Sequence, residues 1–176
     1  DGKHLAWLTW NHPDMPWDYT ELWLGDISVD GSISRAVKIA GNHEDTICQP
    51  LFAPDGTLHF ISERTGWWNL YRWKNEQVEP LYQMEAEFGS PQWVFGISNY
   101  DFQPSGKIVC SFTKSGYSYL AMLDPVTKSL RNIDIPYTSI STVKAGPGYA
   151  VLLAGSSTEP NSIIRVRLED GKVELI

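Results

Sequence analysis

A hydrolytic centre in this sequence would have to be assembled from its serine, histidine and carboxylate side chains, and their spacing argues against one. A serine nucleophile at a strand-to-helix turn reads Gly-x-Ser-x-Gly, because the second glycine leaves room for the sharp turn. Gly96-Ile97-Ser98-Asn99-Tyr100 and Gly116-Tyr117-Ser118-Tyr119-Leu120 both lack that second glycine. No catalytic residue is therefore expected here. His12, Asp14 and Asp18 suggest a metal site or an acid–base pair, but Pro13 and Pro16 break any regular register between them. Their spacing matches no recurrent zinc or calcium scheme, so a rigid packed loop without metal is expected. His43-Glu44-Asp45 reads as a solvated connection, and His4 and His59 lie beside or within strand-like segments. His59 falls on the face opposite Leu58 and Phe60, where a packed or hydrogen-bonded imidazole is the expectation. No glycine-rich phosphate fingerprint occurs, and Gly146-Pro147-Gly148 is a turn whose proline offers no N–H to a phosphate. No cofactor is expected.

Composition narrows the classes further. The 176 residues suit one domain; 42% are hydrophobic and 20% charged, the balance of a globular chain. The formal net charge is −7 with no basic run, which speaks against nucleic acid as a partner. No apolar stretch approaches the ~18 residues of a spanning helix, so no membrane partner is expected. Cys48 and Cys110 are too few for a disulfide framework and read as reduced core thiols, which points to a reducing compartment, taken as the cytoplasm. The sequence opens on Asp1-Gly2 rather than Met, and an excised piece of a longer protein is the expectation.

The elements that would carry these residues are strands. Helical spacing of apolar residues is hard to find, whereas period-two alternation recurs, with Leu58 and Phe60, then Ile108, Cys110 and Phe112, then Ile164, Val166 and Leu168 each aligned on one face. A turn ending in glycine precedes a strand at Gly2, Gly56, Gly106 and Gly148. Two further strands follow each time, the last pair joined by a short polar hairpin, and one more strand precedes the second, third and fourth turns. Four strands per ~40–50 residues is the period of a propeller blade. The expected fold is all-β: a partial β-propeller of about four blades, each a four-stranded antiparallel meander, with the first blade incomplete. The approximate blades are 1–45, 46–89, 90–138 and 139–176. Either a four-bladed ring closes unusually or a larger ring has been cut. The cut reading is preferred, and it implies exposed blade faces through which two copies would associate.

The second unit carries a more specific signal: Phe52-Ala53-Pro54-Asp55-Gly56, then Phe60-Ile61-Ser62-Glu63-Arg64-Thr65-Gly66, then Asn69-Leu70-Tyr71. It resembles the blade repeat of TolB-like propellers and of prolyl oligopeptidase-family serine peptidases. In this resemblance Phe52, Pro54, Asp55, Gly56, Phe60, Ser62, Arg64, Gly66, Leu70 and Tyr71 are the structural blade motif. Residues 7–18 and 64–73 look like the propeller of the dipeptidyl aminopeptidase and acylaminoacyl-peptidase branch. Ser105 replaces the motif aspartate in the third unit, and Gly146-Pro147-Gly148 departs further in the fourth. The resemblance implies a non-catalytic propeller that gates and orients peptide substrates for an α/β-hydrolase domain outside this chain. That domain would carry the Ser, His and Asp of the parent peptidase. The alternative is a TolB-like module that binds a protein partner without any peptidase. Under the peptidase reading, His12, Trp17, Arg64, Trp67 and Trp68 are the substrate-facing candidates. Trp67-Trp68 can also pack between blades, one ring in and one out. Arg64 can instead tie a turn through Asp55 or backbone carbonyls. Glu85-Ala86-Glu87 reads as solvated surface, or as an attractor for a peptide amino terminus.

Overall fold

The computed structural model describes residues 2–42 and 45–176; His43 and Glu44 of the first blade-to-blade connection lie outside the described residues. The architecture is a partial propeller of four antiparallel sheets, each a meander whose spatial order follows the chain. The first sheet has three strands, β1 (His4–Thr9), β2 (Glu21–Ile27) and β3 (Ile33–Ala40). The second has β4 (Ile47–Phe52), β5 (Leu58–Ser62), β6 (Asn69–Lys74) and β7 (Gln77–Tyr82). The third has β8 (Tyr100–Phe102), β9 (Ile108–Lys114), β10 (Tyr117–Asp124) and β11 (Ser129–Ile133). The fourth has β12 (Ser139–Gly146), β13 (Tyr149–Gly155), β14 (Ser162–Arg167) and β15 (Val173–Leu175). Among the described residues no helix is long and apolar enough to cross a membrane.

The turns explain the meander. Asp55 Oδ1 accepts the Thr57 N–H at 2.9 Å, Gly56 N–H donates to the Ala53 carbonyl at 2.9 Å, and Gly56 sits at φ +84, where a Cβ is strained. In the third blade the same backbone closure holds Gly106 N–H on the Gln103 carbonyl, although serine stands in for the aspartate there. Asn75 and Glu76 both have positive φ, as a two-residue turn between Lys74 and Gln77 requires.

Period-two alternation predicts one buried face per strand; in the inner strands both faces are buried, each against a different blade. In β5, Leu58 and Phe60 join Leu22, Ile39, Ile47 and Tyr71 between the first and second blades. Ile61, on the other side, joins Trp68, Phe88, Ile108, Cys110 and Phe112 between the second and third. In β9, Ile108, Cys110 and Phe112 face that same core, while Val109 joins Ile140, Val143, Leu152 and Ile164 between the third and fourth. A sheet covered on both faces can be apolar on both, and this is how stacked blades hold together.

Polar side chains stitch the innermost strands. The β4–β5 register shifts between Cys48 and Leu51, and Gln49, at φ +49, sits within that irregularity. Its Nε2 donates to the Tyr100 carbonyl at 2.7 Å, and its Oε1 accepts the Asn99 N–H at 2.7 Å. Ser98 Oγ donates to the Val143 carbonyl at 2.9 Å, and the Ala145 N–H donates to Asp101 Oδ2 at 2.9 Å. These side chains tie the first strands of the second, third and fourth blades, and between the third and fourth a backbone bridge adds to them, with the Val143 N–H donating to the Ser98 carbonyl at 2.9 Å.

Both cysteines are free and buried in the core between the second and third blades. Burial pushes each thiol up to about 12. At pH 8 the thiolate fraction is then about 10⁻⁴, so a disulfide reagent is expected to label neither cysteine in the native chain and both in urea. Fast stoichiometric labelling without denaturant would contradict the burial.

Candidate functional site

A blade's second and third strands, and its last strand and the next blade's first, are joined at one end of the propeller. At this end the first two blades place four connections, three of which carry tryptophan. They are the 10–20 loop between β1 and β2, the 41–46 connection, the 63–68 loop between β5 and β6, and the 83–99 loop between β7 and β8. The opposite end is built from short turns.

The 10–20 loop is internally bonded. Asp14 N–H donates to the Asn11 carbonyl and Asp18 N–H to the Met15 carbonyl, both at 2.9 Å. Met15 N–H returns to Asp18 Oδ2 at 2.8 Å, and Thr20 Oγ1 donates to the Pro16 carbonyl at 2.9 Å. Asp18 is thus spent on its own loop, while His12 stands exposed before a cis Pro13. Among the described residues no group of three or more His, Cys, Asp and Glu side chains could hold a metal ion. Thr46 Oγ1 anchors the loop through the Asp18 carbonyl at 2.7 Å.

The aromatic residues meet where these loops touch. Trp17 is partly buried against the core and lies 4.1 Å, centroid to centroid, from Trp93 of the 83–99 loop. Trp68 is 8% exposed and Trp67 is 38% exposed. Gly89 lies flat against the Trp68 ring, so close that a Cβ there would overlap Trp68 Cε3. Trp10, Met15, Tyr19, Trp67, Trp93 and Phe95 are all large apolar side chains left open to solvent at this end. Single exposed apolar residues are ordinary, but several on the loops of one end are a candidate contact surface.

Three charged residues behave differently from the sequence expectation. Arg64 does not tie Asp55. Its Nη2 donates to Asp45 Oδ2 at 2.9 Å, its Nε donates to Ser62 Oγ at 2.9 Å, and it lies over the Tyr71 ring at 4.9 Å. Asp45 is not solvated: it is buried and also accepts the Ser62 hydroxyl at 2.6 Å. A buried carboxylate at this point needs a cation, and Arg64 supplies it. Glu87 is not simply solvated either. Its Oε2 accepts the Trp68 N–H at 3.0 Å, and its backbone pairs with Thr113 of the third blade, with Ala86 fully buried beside it. Glu85 stays exposed.

Arg64, Trp67 and Trp68 share one loop, Trp17 reaches the 83–99 loop through Trp93, and His12 sits on the loop that carries Trp17. Sequence reasoning missed Trp10 and the Trp93-Val94-Phe95 run. The available signal was a cluster of bulky apolar residues between Gln92 and Gly96 with no strand alternation to explain it.

No family model matches the chain, and no curated protein matches it. Solved structures do. A puromycin-hydrolyzing peptidase from Mycobacterium tuberculosis is 32% identical, with a TM-score of 0.90 over 98% of this chain and 26% of that one. Prolyl oligopeptidase B from Galerina marginata is 10% identical, with a TM-score of 0.73 over 99% of this chain and 24% of that one. TolB from Acinetobacter baumannii is 17% identical, with a TM-score of 0.68 over 98% of this chain and 41% of that one. The latter two likenesses are of fold alone. The chain spans about a quarter of the length of the puromycin hydrolases it matches. The four meanders and the match along nearly the whole chain make this a partial β-propeller, similar to part of the puromycin-hydrolyzing peptidases and consistent with a propeller domain of a prolyl oligopeptidase-family peptidase.

Proposed function

We propose that this chain is the non-catalytic propeller portion of a serine peptidase, restricting and orienting peptide substrates for a hydrolase domain that it does not itself contain. The observation that carries the reading is the asymmetry of the two ends. One end gathers exposed rings from three loops, while the other closes in short turns. Rings at a mouth offer apolar area and edge-to-face contact to peptide side chains at low entropic cost. Trp67 and Trp93 are the exposed members that would meet substrate or the facing domain. Trp17 and Trp68 hold them in place, and Arg64, fixed on Asp45, presents its remaining face to the same end. The dipeptidyl aminopeptidase and acylaminoacyl-peptidase branch is the finer assignment, supported by residues 7–18 and 64–73.

The parent chemistry is acyl transfer to water by serine, with histidine as base and acid. Two measurements test the proposal. The 176-residue chain alone is expected to show no turnover of aminoacyl or peptidyl chromogenic substrates. In the full-length polypeptide, Trp67→Ala is expected to raise KM about tenfold with kcat nearly unchanged, the signature of lost binding shared by ground and transition states. Turnover by the isolated chain that a serine-directed inhibitor abolishes would overturn the first part. A Trp67→Ala enzyme with wild-type KM for every peptide length would leave the rim as packing and favour the partner-binding reading that the TolB likeness represents.

A further inference from the structure

The end that bears the exposed rings also carries a one-sided charge. Its seven connections, those of the third and fourth blades included, hold eight carboxylates and one cation among the described residues. That cation is Arg64, which Asp45 already neutralises at 2.9 Å. Lys114, the last residue of β9, is exposed nearby. The short turns at the opposite end hold five carboxylates and three lysines. A field of this sign draws cations toward the ring-bearing end and turns anions away.

One hollow at this end gives the field a place to act. It measures about 180 Å³ and is lined by Trp10, Asp14 and Tyr19 of the 10–20 loop, together with Glu21 and Lys38. Trp10 and Tyr19 each leave nearly half of their surface open. Glu21 is already committed: Oε1 accepts Lys38 Nζ at 3.0 Å, and Oε2 accepts the Trp23 Nε1–H at 3.2 Å. Lys38 is thereby held on Glu21. Asp14 is half-buried, and its carboxylate forms no hydrogen bond or ion pair among the described residues. Its backbone is fixed, because the Asp14 N–H donates to the Asn11 carbonyl at 2.9 Å.

An uncommitted carboxylate in a hollow with two open rings suits a cation: the carboxylate takes the charge, and the rings take the stem that bears it. An anion would be repelled by Asp14, and a neutral apolar group would gain nothing from it. The hollow lies well below the ~300–1,000 Å³ of a whole small-molecule site, so it admits the end of one side chain. A peptide's terminal ammonium stands one bond from a branched Cα, whereas lysine carries its ammonium on a slender four-carbon stem. We infer that this end takes cationic peptides, and that the hollow at Trp10, Asp14 and Tyr19 receives a lysine side chain of the bound peptide. The inference rests on the reading of this end as the peptide-facing mouth and adds the charge of the substrate to it.

The test is a calorimetric titration of the full-length polypeptide, its serine blocked by a small serine-directed inhibitor, with N-acetylated and amidated tripeptides. Alanyl-lysyl-alanine is expected to bind about tenfold more tightly than alanyl-norleucyl-alanine at about 20 mM salt, with alanyl-glutamyl-alanine weaker than either. The lysine advantage should shrink to about threefold at about 500 mM salt, where exposed charges are screened. Asp14→Asn should remove the advantage, and Trp10→Leu should lower it about threefold. Glu159→Gln, at the same end but outside the hollow, should keep it. Equal binding of the lysyl and norleucyl peptides, an advantage that ignores salt, or one that survives Asp14→Asn would each overturn the inference. So would an equal gain from leaving the amino terminus of the norleucyl peptide uncapped. If Asp14→Asn does not fold, the peptide and salt series on the unmodified protein decide. Inhibitor-sensitive turnover, measured separately, tells the two readings apart. Turnover without a lysine preference removes this inference alone, and a lysine preference without turnover removes the peptidase reading alone.

Discussion

Gln49→Leu is expected to lower the stability of the chain by about 2–4 kcal/mol in urea unfolding, with no change of volume to blame. The amide is 9% exposed. It donates to the Tyr100 carbonyl and accepts from the Asn99 N–H, both at 2.7 Å, and it reaches Ser98 Oγ at 3.3 Å. Leucine fills nearly the same space but leaves a buried N–H and a buried C=O without partners, each worth about 1–3 kcal/mol when orphaned. Gln83→Leu, on an exposed position of the same blade, should stay within about 0.5 kcal/mol of wild type. The effect should also reach the rim, because Asn99 ends the 83–99 loop on which Trp93 meets Trp17. Loosening that end should reduce the protection of the loop amides from hydrogen exchange before the β9 amides are affected. A loss below about 1 kcal/mol would mean that the inner strands do not depend on this stitch.

Gln49 also shows where the sequence stops being legible. The blades could be read because each is a local device: a glycine turn, an alternating strand and a polar hairpin repeat at one period, and period two survives in any register. Phe60 and Ile108 could be placed on buried faces for the same reason. What alternation cannot say is that the opposite face is buried as well, because a neighbouring blade covers it only in three dimensions. His59 was legible as packed or hydrogen-bonded, but the ring it packs against, Phe102 at 5.0 Å, comes from the next blade. The partners of Arg64 and Gln49 were illegible for a related reason. Asp45 lies 19 residues before Arg64, and Asn99 lies 50 residues after Gln49, so no local rule pairs them. The tryptophans of the rim were visible as residues. Their gathering on one end depends on which connections are long, and that follows from the order of strands within each blade.

Phe60→Ala is the complementary experiment, since it removes apolar contact rather than polar pairing, and it is expected to cost about 3–5 kcal/mol. Phe60 is fully buried on the central strand β5, stacks on Tyr71 at 6.1 Å, and fills the wedge against Leu22 and Ile47. Its neighbour Ile61 is equally buried but belongs to the core on the other side of the same sheet. Ile61→Ala should therefore cost about 2–5 kcal/mol through a different interface. Ile163 of β14 is an internal control, for it alternates with buried Ile164 but is 54% exposed on the outward side of the fourth blade. Ile163→Ala should change stability by no more than about 0.5 kcal/mol. The decisive comparison is the Phe60→Ala and Ile61→Ala pair under native-state hydrogen exchange. If blades bury one another sideways, Phe60→Ala should selectively expose β2 amides and Ile61→Ala should selectively expose β9 amides, because each truncation opens a different wedge. Identical exchange patterns in the two variants would mean that the sheets unfold as one body, and that the blade interface is not the unit in which this propeller stores its stability.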